Sequence, residues 1–197
     1  MGKRSEFERI PRDYYPTPIE AVYPLVPHLP DGLFHFTEPC AGDGRLADHI
    51  AALTMGHCEK ASDIEPRGVK VQKADALAEP DEMAAMFITN PPWDRKVLHP
   101  LIVRLSDIAP TWLLFDADWM HTKQAAQFMP RLRKVVSVGR VKWIEGSKMT
   151  GKDNCCWYLF QRPDPADDPT EFIGRVAFDS TSVSCQQPGA SCSRQLK

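Results

Sequence analysis

The sequence predicts an α/β fold: a seven-stranded, mostly parallel sheet with helices on both faces. Three observations predict it. Short apolar runs alternate with segments of helical periodicity along most of the chain. Residues 34–55 read as strand, glycine turn and helix: Phe34 to Cys40, then Ala41-Gly42-Asp43-Gly44, then Leu46, Ile50 and Leu53 on one face. The apolar run 86–88 stops at Thr89-Asn90-Pro91-Pro92-Trp93. Two prolines without N–H groups end a buried strand there and stiffen the loop after it.

Taken in order, residues 1–13 carry charges of both signs and are expected to be loose. Thr17 and Pro18 read as a helix start, a hydroxyl N-cap followed by proline at the first helical position. That helix turns Ile19, Val22, Tyr23 and Val26 inward and ends near residues 27–30. Strands are expected at 34–40, 58–64, 69–74, 83–89, 111–115, 135–138 and 154–161, and helices at 45–55, 97–105 and 119–128. One domain over 14–162 follows. Residues 163–197 form an extension, and its stretch from about 180, rich in Ser, Gln, Gly and Cys, cannot bury a core and is expected to be disordered.

Composition narrows the function classes. A length of 197 residues with 43% hydrophobic content suits a single globular unit. A net charge of −2 excludes general polyanion binding, so any nucleic-acid contact needs a local patch. Between Arg131 and Lys152 lie seven Lys or Arg and one acidic residue, Glu145. Arg140, Lys142, Lys148 and Lys152 are the candidate phosphate contacts. The first residues lack a signal-peptide apolar core, and no apolar run approaches the roughly 18 residues of a membrane span. The six cysteines lack paired spacing, and His99 and His121 lack ligand-like partners, so neither a metal nor a disulfide framework is expected. A reducing cytoplasm is the expected location.

The opening motif has its own chemistry. The Asn90 amide oxygen and the neighbouring Pro91 carbonyl are acceptors held at the carboxyl end of a strand, the edge where open α/β sheets bind ligands. Trp93 adds a flat apolar surface. The set suits a planar group carrying an exocyclic NH₂. The glycine turn lacks both G-x-G-x-x-G and the Lys-Ser/Thr of a P-loop, which favours a nucleoside or carboxylate over phosphate. Asp63, just past the second strand, suits a ribose diol. Asp94-Arg95-Lys96 read as a helix cap with solvated charges, the alternative being a phosphate contact. Asp116 and Asp118 read either as caps before Trp119 or as pocket lining.

The ordered set Glu38-Pro39-Cys40-Ala41-Gly42-Asp43-Gly44, Asp63-Ile64-Glu65-Pro66, Asp75 and Asn90-Pro91-Pro92-Trp93 resembles the class I S-adenosylmethionine-dependent methyltransferases. Within them it is similar to the amino-methylating branch and to small phage- or prophage-type DNA adenine-N6 enzymes, over residues 14–161. The resemblance implies a Rossmann-like methyltransferase fold with S-adenosyl-L-methionine as cofactor. It implies Tyr14, Tyr15, Thr17 and Pro18 at the methionine part. Glu38, Pro39, Ala41, Gly42 and Gly44 would lie beneath it, Glu38 near the amino group. Asp63 would hold the ribose, Ile64 would pack on the cofactor adenine and Asp75 would meet its N6. Asn90 to Trp93 would be the catalytic loop, with Trp93 stacked on the target base. The implied activity is methyl transfer to the N6 amine of adenine in DNA. Adenine in RNA, a protein glutamine amide, and a non-catalytic binding module are the rival expectations. Such DNA enzymes often carry a separate recognition domain, for which this chain has no room; residues 131–152 are then the candidate target contact.

Overall fold

The apolar runs form one sheet: β1 (Phe34–Glu38), β2 (Gly56–Asp63), β3 (Gln72–Lys73), β4 (Phe87–Thr89), β5 (Thr111–Asp116), β6 (Leu132–Arg140), β7 (Asn154–Phe160) and β8 (Glu171–Ile173). The computed structural model describes residues 14–144, 151 and 153–175. The segment expected to be loose (1–13), the segment expected to be disordered (from about 180), Lys148 and Lys152 lie outside the described residues. Strand order is β3-β2-β1-β4-β5-β7-β6-β8. All neighbours run parallel except β7, which is antiparallel to both β5 and β6. Helices α1 (Ile19–Val22), α2 (Arg45–Leu53) and α3 (Arg95–Ser106) cover it.

Both faces of the sheet are buried, so the central strands read as unbroken apolar runs. In β5, Trp112 and Leu114 face α1 and α2, together with Phe36, Ile50, Ile88 and Trp157. Leu113 and Phe115 face the other way, with Leu98, Ile102, Tyr158 and Phe160. Each such side chain contributes about 1.5–3 kcal/mol on burial. Trp157 meets its one polar need inside the core, donating from Nε1 to the Ala21 carbonyl at 2.7 Å.

Five expectations are corrected. The first helix keeps only four residues, followed by a 3₁₀ turn at Val26–His28. Pro24, Pro27 and Pro30 withhold the N–H groups a longer helix needs. The helix expected at 119–128 is two 3₁₀ stretches, Ala117–His121 and Lys123–Arg131. The break is Thr122, whose hydroxyl donates to the Trp119 carbonyl at 2.8 Å and competes with helix continuation. The third strand shrinks to two residues and the fourth to three.

The last correction is an eighth strand. The extension adds β8 in parallel beside β6. It is held by Lys134 Nζ on Glu171 Oε2 at 2.7 Å, an ion pair of Arg133 with Asp167, and Thr170 Oγ1 donating to the Leu132 carbonyl at 2.8 Å. Ending the chain at Arg162 would strip these bonds and leave β6 as a bare edge. We expect that truncation to cost about 1–3 kcal/mol, a fall of about 2–12 °C in thermal midpoint. Equal melting of the two chains would show that β8 braces nothing.

Candidate functional site

The parallel strands β2, β1 and β4 end side by side, and their carboxyl ends carry Asp63, Glu38 and Thr89-Asn90. One cleft opens there. Tyr14, Tyr15, Thr17, Glu38, Pro39, Ala41, Gly42, Asp63, Ile64, Asp75 and Asn90 line it, as does Pro92. Pro18, Gly44, Pro91 and Trp93 are not in the lining; Pro18 and Gly44 are the N-caps of α1 and α2.

Asn90 is held by three hydrogen bonds. Its Nδ2 donates to the Tyr15 carbonyl at 3.2 Å and to Thr17 Oγ1 at 3.1 Å. Its Oδ1 accepts from Trp93 Nε1 at 3.3 Å, and the same N–H donates to the Leu114 carbonyl at 3.2 Å. A carbonyl only accepts and an indole N–H only donates, so these partners fix which end of the amide is oxygen. One lone pair of Oδ1 is left over. This arrangement corrects the reading of Thr17. Helix α1 is capped by Pro18 with no side-chain bond, and the buried Thr17 hydroxyl serves Asn90 instead.

Glu38 lies beneath the glycine turn and is 1% exposed. Its Oε2 accepts from the Ala47 N–H at 3.1 Å, in the first turn of α2. Burial pushes its carboxyl well above the usual carboxylate range; the Ala47 N–H opposes this, and Asp43, Asp63 and Asp48 add to it. The turn itself needs glycine. Gly42 has φ 55° and Gly44 φ 88°. A Cβ on Gly42 would stand 2.6 Å from Tyr14 Cε2.

Asp63 ties the end of β2 to this turn. Its Oδ2 accepts from the Gly42 N–H at 2.9 Å and its Oδ1 from the Glu65 N–H at 2.8 Å. Asp75 Oδ1 accepts from the Leu77 N–H at 2.9 Å. Ile64 is 51% exposed at the cleft mouth, an apolar side chain without a core to cover it.

Trp93 turns its N–H into the protein and meets Trp143 edge-on at 5.9 Å. Trp143 also lies 6.4 Å from Tyr15. It follows β6 in the run Arg140-Val141-Lys142-Trp143. Gly151 donates to the Val141 carbonyl at 2.8 Å and lies so close that a Cβ would stand 3.2 Å from Trp143 Cδ1. The five described basic residues of this region divide by position. Arg131, Arg133 and Lys134 sit at the far end of β6 and are paired with Asp107, Asp167 and Glu171. Arg140 and Lys142 are exposed at the ligand edge, with no acidic partner among the described residues.

Sequence reasoning missed Trp143 and Arg67. An aromatic between closely spaced cations was a usable signal for Trp143. Arg67 carried none, because its place depends on Tyr14, distant in sequence. Asp94 caps α3, accepting from the Lys96 N–H at 3.0 Å, and Asp116 likewise accepts from the Asp118 N–H at 3.0 Å. His99 Nε2 accepts from Trp119 Nε1 at 3.0 Å. No group of three metal-binding side chains occurs among the described residues. No helix there is long and apolar enough to cross a membrane.

No protein-family model and no curated protein matches the chain. Solved structures do. A Pyrococcus horikoshii protein provisionally named an RNA methyltransferase aligns with a TM-score of 0.52 at 13% identity, over 77% of this chain and 88% of its own. A Listeria monocytogenes protein provisionally named a class I S-adenosylmethionine-dependent methyltransferase has a TM-score of 0.49 at 8% identity, over 79% and 62% of the two chains. A dimethyladenosine transferase from Plasmodium falciparum has a TM-score of 0.48 at 15% identity, over 73% and 59%. The chain spans less than two thirds of the last two. At these identities the likeness speaks for architecture, and the architecture is the Rossmann-like methyltransferase fold, here with eight strands.

Proposed function

We propose that this chain is an S-adenosylmethionine-dependent N-methyltransferase acting on the exocyclic N6 amine of adenine in DNA. One observation carries the reading: the Asn90 amide, fixed by Tyr15, Thr17 and Trp93, borders the same cleft as the buried Glu38, the glycine turn and Asp63.

The lining suits the cofactor in kind. The buried Glu38 carboxyl has no cation partner among the described residues, and an ammonium group would supply one. Asp63 retains lone pairs for a ribose diol after its two backbone bonds. The exposed Ile64 offers an apolar surface to a purine. Gly42 lets a ligand approach the backbone closely. Bound there, S-adenosylmethionine would supply a methyl group already activated by a positive sulfur.

The chain's own work is to prepare the amine. An exocyclic aromatic amine is a poor nucleophile because its lone pair is delocalised into the ring. We assign one of its N–H bonds to Asn90 Oδ1 and the other to the carbonyl of Pro91, a residue outside the cleft lining. Two acceptors on one side favour a pyramidal nitrogen and aim its lone pair away from them. The amide is no base, so the proton lost on alkylation goes to water. Orientation of this kind accounts for up to about 7–11 kcal/mol of a barrier. Trp93 spends its N–H on Asn90 and Leu114. It therefore holds the acceptor as well as presenting a ring. Trp143 lies against it, and Arg140 and Lys142, exposed beside it, are the proposed phosphate contacts. Lys148 and Lys152, outside the described residues, belong to the same proposal.

The test is radiolabelled methyl transfer to duplex DNA, single-stranded DNA, RNA and protein, followed by nucleoside analysis. We expect N6-methyl-2′-deoxyadenosine from DNA. Label in RNA alone would move the substrate to RNA, and label in protein would move it to a glutamine amide. Cofactor binding without transfer to any of the four would leave a binding module.

A further inference from the structure

Among the described residues a single cation, Arg67, lines the cleft. The other charged residues in the lining are Glu38, Asp63, Glu65 and Asp75. The Arg67 guanidinium has no carboxylate partner among the described residues. It lies 3.7 Å above the Tyr14 ring, a cation–π contact. Tyr14 in turn covers Gly42. The backbone fixes this stack from below. Arg67 and Gly68 donate from their N–H groups to the Gly42 carbonyl at 2.9 and 3.3 Å. Gly68 runs so close to the glycine turn that a Cβ would stand 2.3 Å from the Asp43 carbonyl oxygen. Three segments, at 14, 42 and 67, are therefore latched together, and the one positive charge of the wall among the described residues is carried on the latch.

The cofactor of the proposed function, on which this inference rests, ends in an amino acid. That end carries both signs. Glu38 answers the ammonium. Among the described lining residues, Arg67 is the one that offers a carboxylate an attractive charge. We infer that Arg67 is the counter-ion of the cofactor carboxylate, and that Tyr14 keeps its planar, five-donor head at the cleft mouth. Arginine suits the task because it pairs with a carboxylate through two parallel bonds while its flat face stays on the ring.

The test compares two ligands by calorimetry. S-adenosylhomocysteine keeps the amino-acid end; 5′-methylthioadenosine replaces it with a methyl group. For Arg67→Ala we expect S-adenosylhomocysteine to bind about tenfold or more weakly. Methylthioadenosine should bind as it does to the wild type. Arg67→Lys should recover part of the loss, since it keeps the charge and forfeits the paired geometry. Equal weakening of both ligands would overturn the inference and leave Arg67 as a structural latch. Unchanged binding of both would overturn it as well. Wild-type protein that binds neither ligand would remove the cofactor reading itself, and that failure shows before any variant is made. Should Arg67→Ala not fold, Arg67→Met keeps the stem over Tyr14 and carries the same expectations.

Discussion

Replacing Asn90 with alanine should lower kcat for methyl transfer at least about a thousand-fold, the scale of losing a preorganised polar group together with the orientation it imposes. Cofactor affinity should fall by no more than about tenfold. The side chain donates two neutral bonds, to Tyr15 and Thr17, and each is worth about 1 kcal/mol. Those bonds fasten the N-terminal wall of the cleft, so a small loss of binding is part of the expectation. Aspartate is no remedy. It matches the amide in shape but has no N–H for the Tyr15 carbonyl, and its charge would sit against that oxygen. Thr17→Val gives a milder version, since it removes one acceptor of Nδ2 and keeps the volume. Single-turnover rates with saturating cofactor and oligonucleotide separate the chemical step from binding. Near-wild-type turnover by Asn90→Ala would remove the amide from the mechanism.

Glu38→Gln should stabilise the ligand-free protein and cripple cofactor binding. Burial raises the Glu38 carboxyl well above its unfolded value. A group shifted upward contributes stability that is complete below the unfolded value and is lost as pH rises through the folded one. The wild-type protein should therefore lose stability on the alkaline side of that interval relative to Glu38→Gln. Glutamine keeps an acceptor for the Ala47 N–H and cannot ionise. We expect a gain of about 1–3 kcal/mol, the usual cost of an uncompensated buried polar group, read as a thermal midpoint at pH 8. The same change removes the counter-charge for an ammonium, at about 2–4 kcal/mol, or about thirty- to a thousand-fold in Kd. A glutamine variant that binds the cofactor normally would detach Glu38 from the site. Identical pH dependence of stability in the two proteins, followed upward from below the ordinary carboxylate range, would show that the carboxyl is not strained by burial.

Much of this was legible in the sequence because it is local. Phe34 to Gly44 announce a strand, a turn and a helix by period and by glycine placement, and the structure follows them. Asn90-Pro91-Pro92 stop β4 where their missing N–H groups require. What was not legible depends on partners far along the chain. Thr17 has the form of a cap in its own segment, and only the fold brings Asn90, 73 residues away, to its hydroxyl. Trp93 looked like a free ring until Leu114 and Asn90 took its N–H. The basic run from Arg131 looked uniform, yet its first three cations are neutralised by acids from α3's end and from the extension. Strand β8 was hidden by its length, three residues among prolines and aspartates, and it exists because β6 offers an open edge.

The central claim is that one rigid amide meets the amine beside the methyl donor. A crystal structure of the wild-type protein with S-adenosylhomocysteine tests it most directly. The account predicts the amino-acid end between Glu38 and Arg67, the ribose on Asp63, and the sulfur turned toward Asn90 with open space between them for an amine. A sulfur turned away from Asn90, or walled off from it by protein, would contradict it.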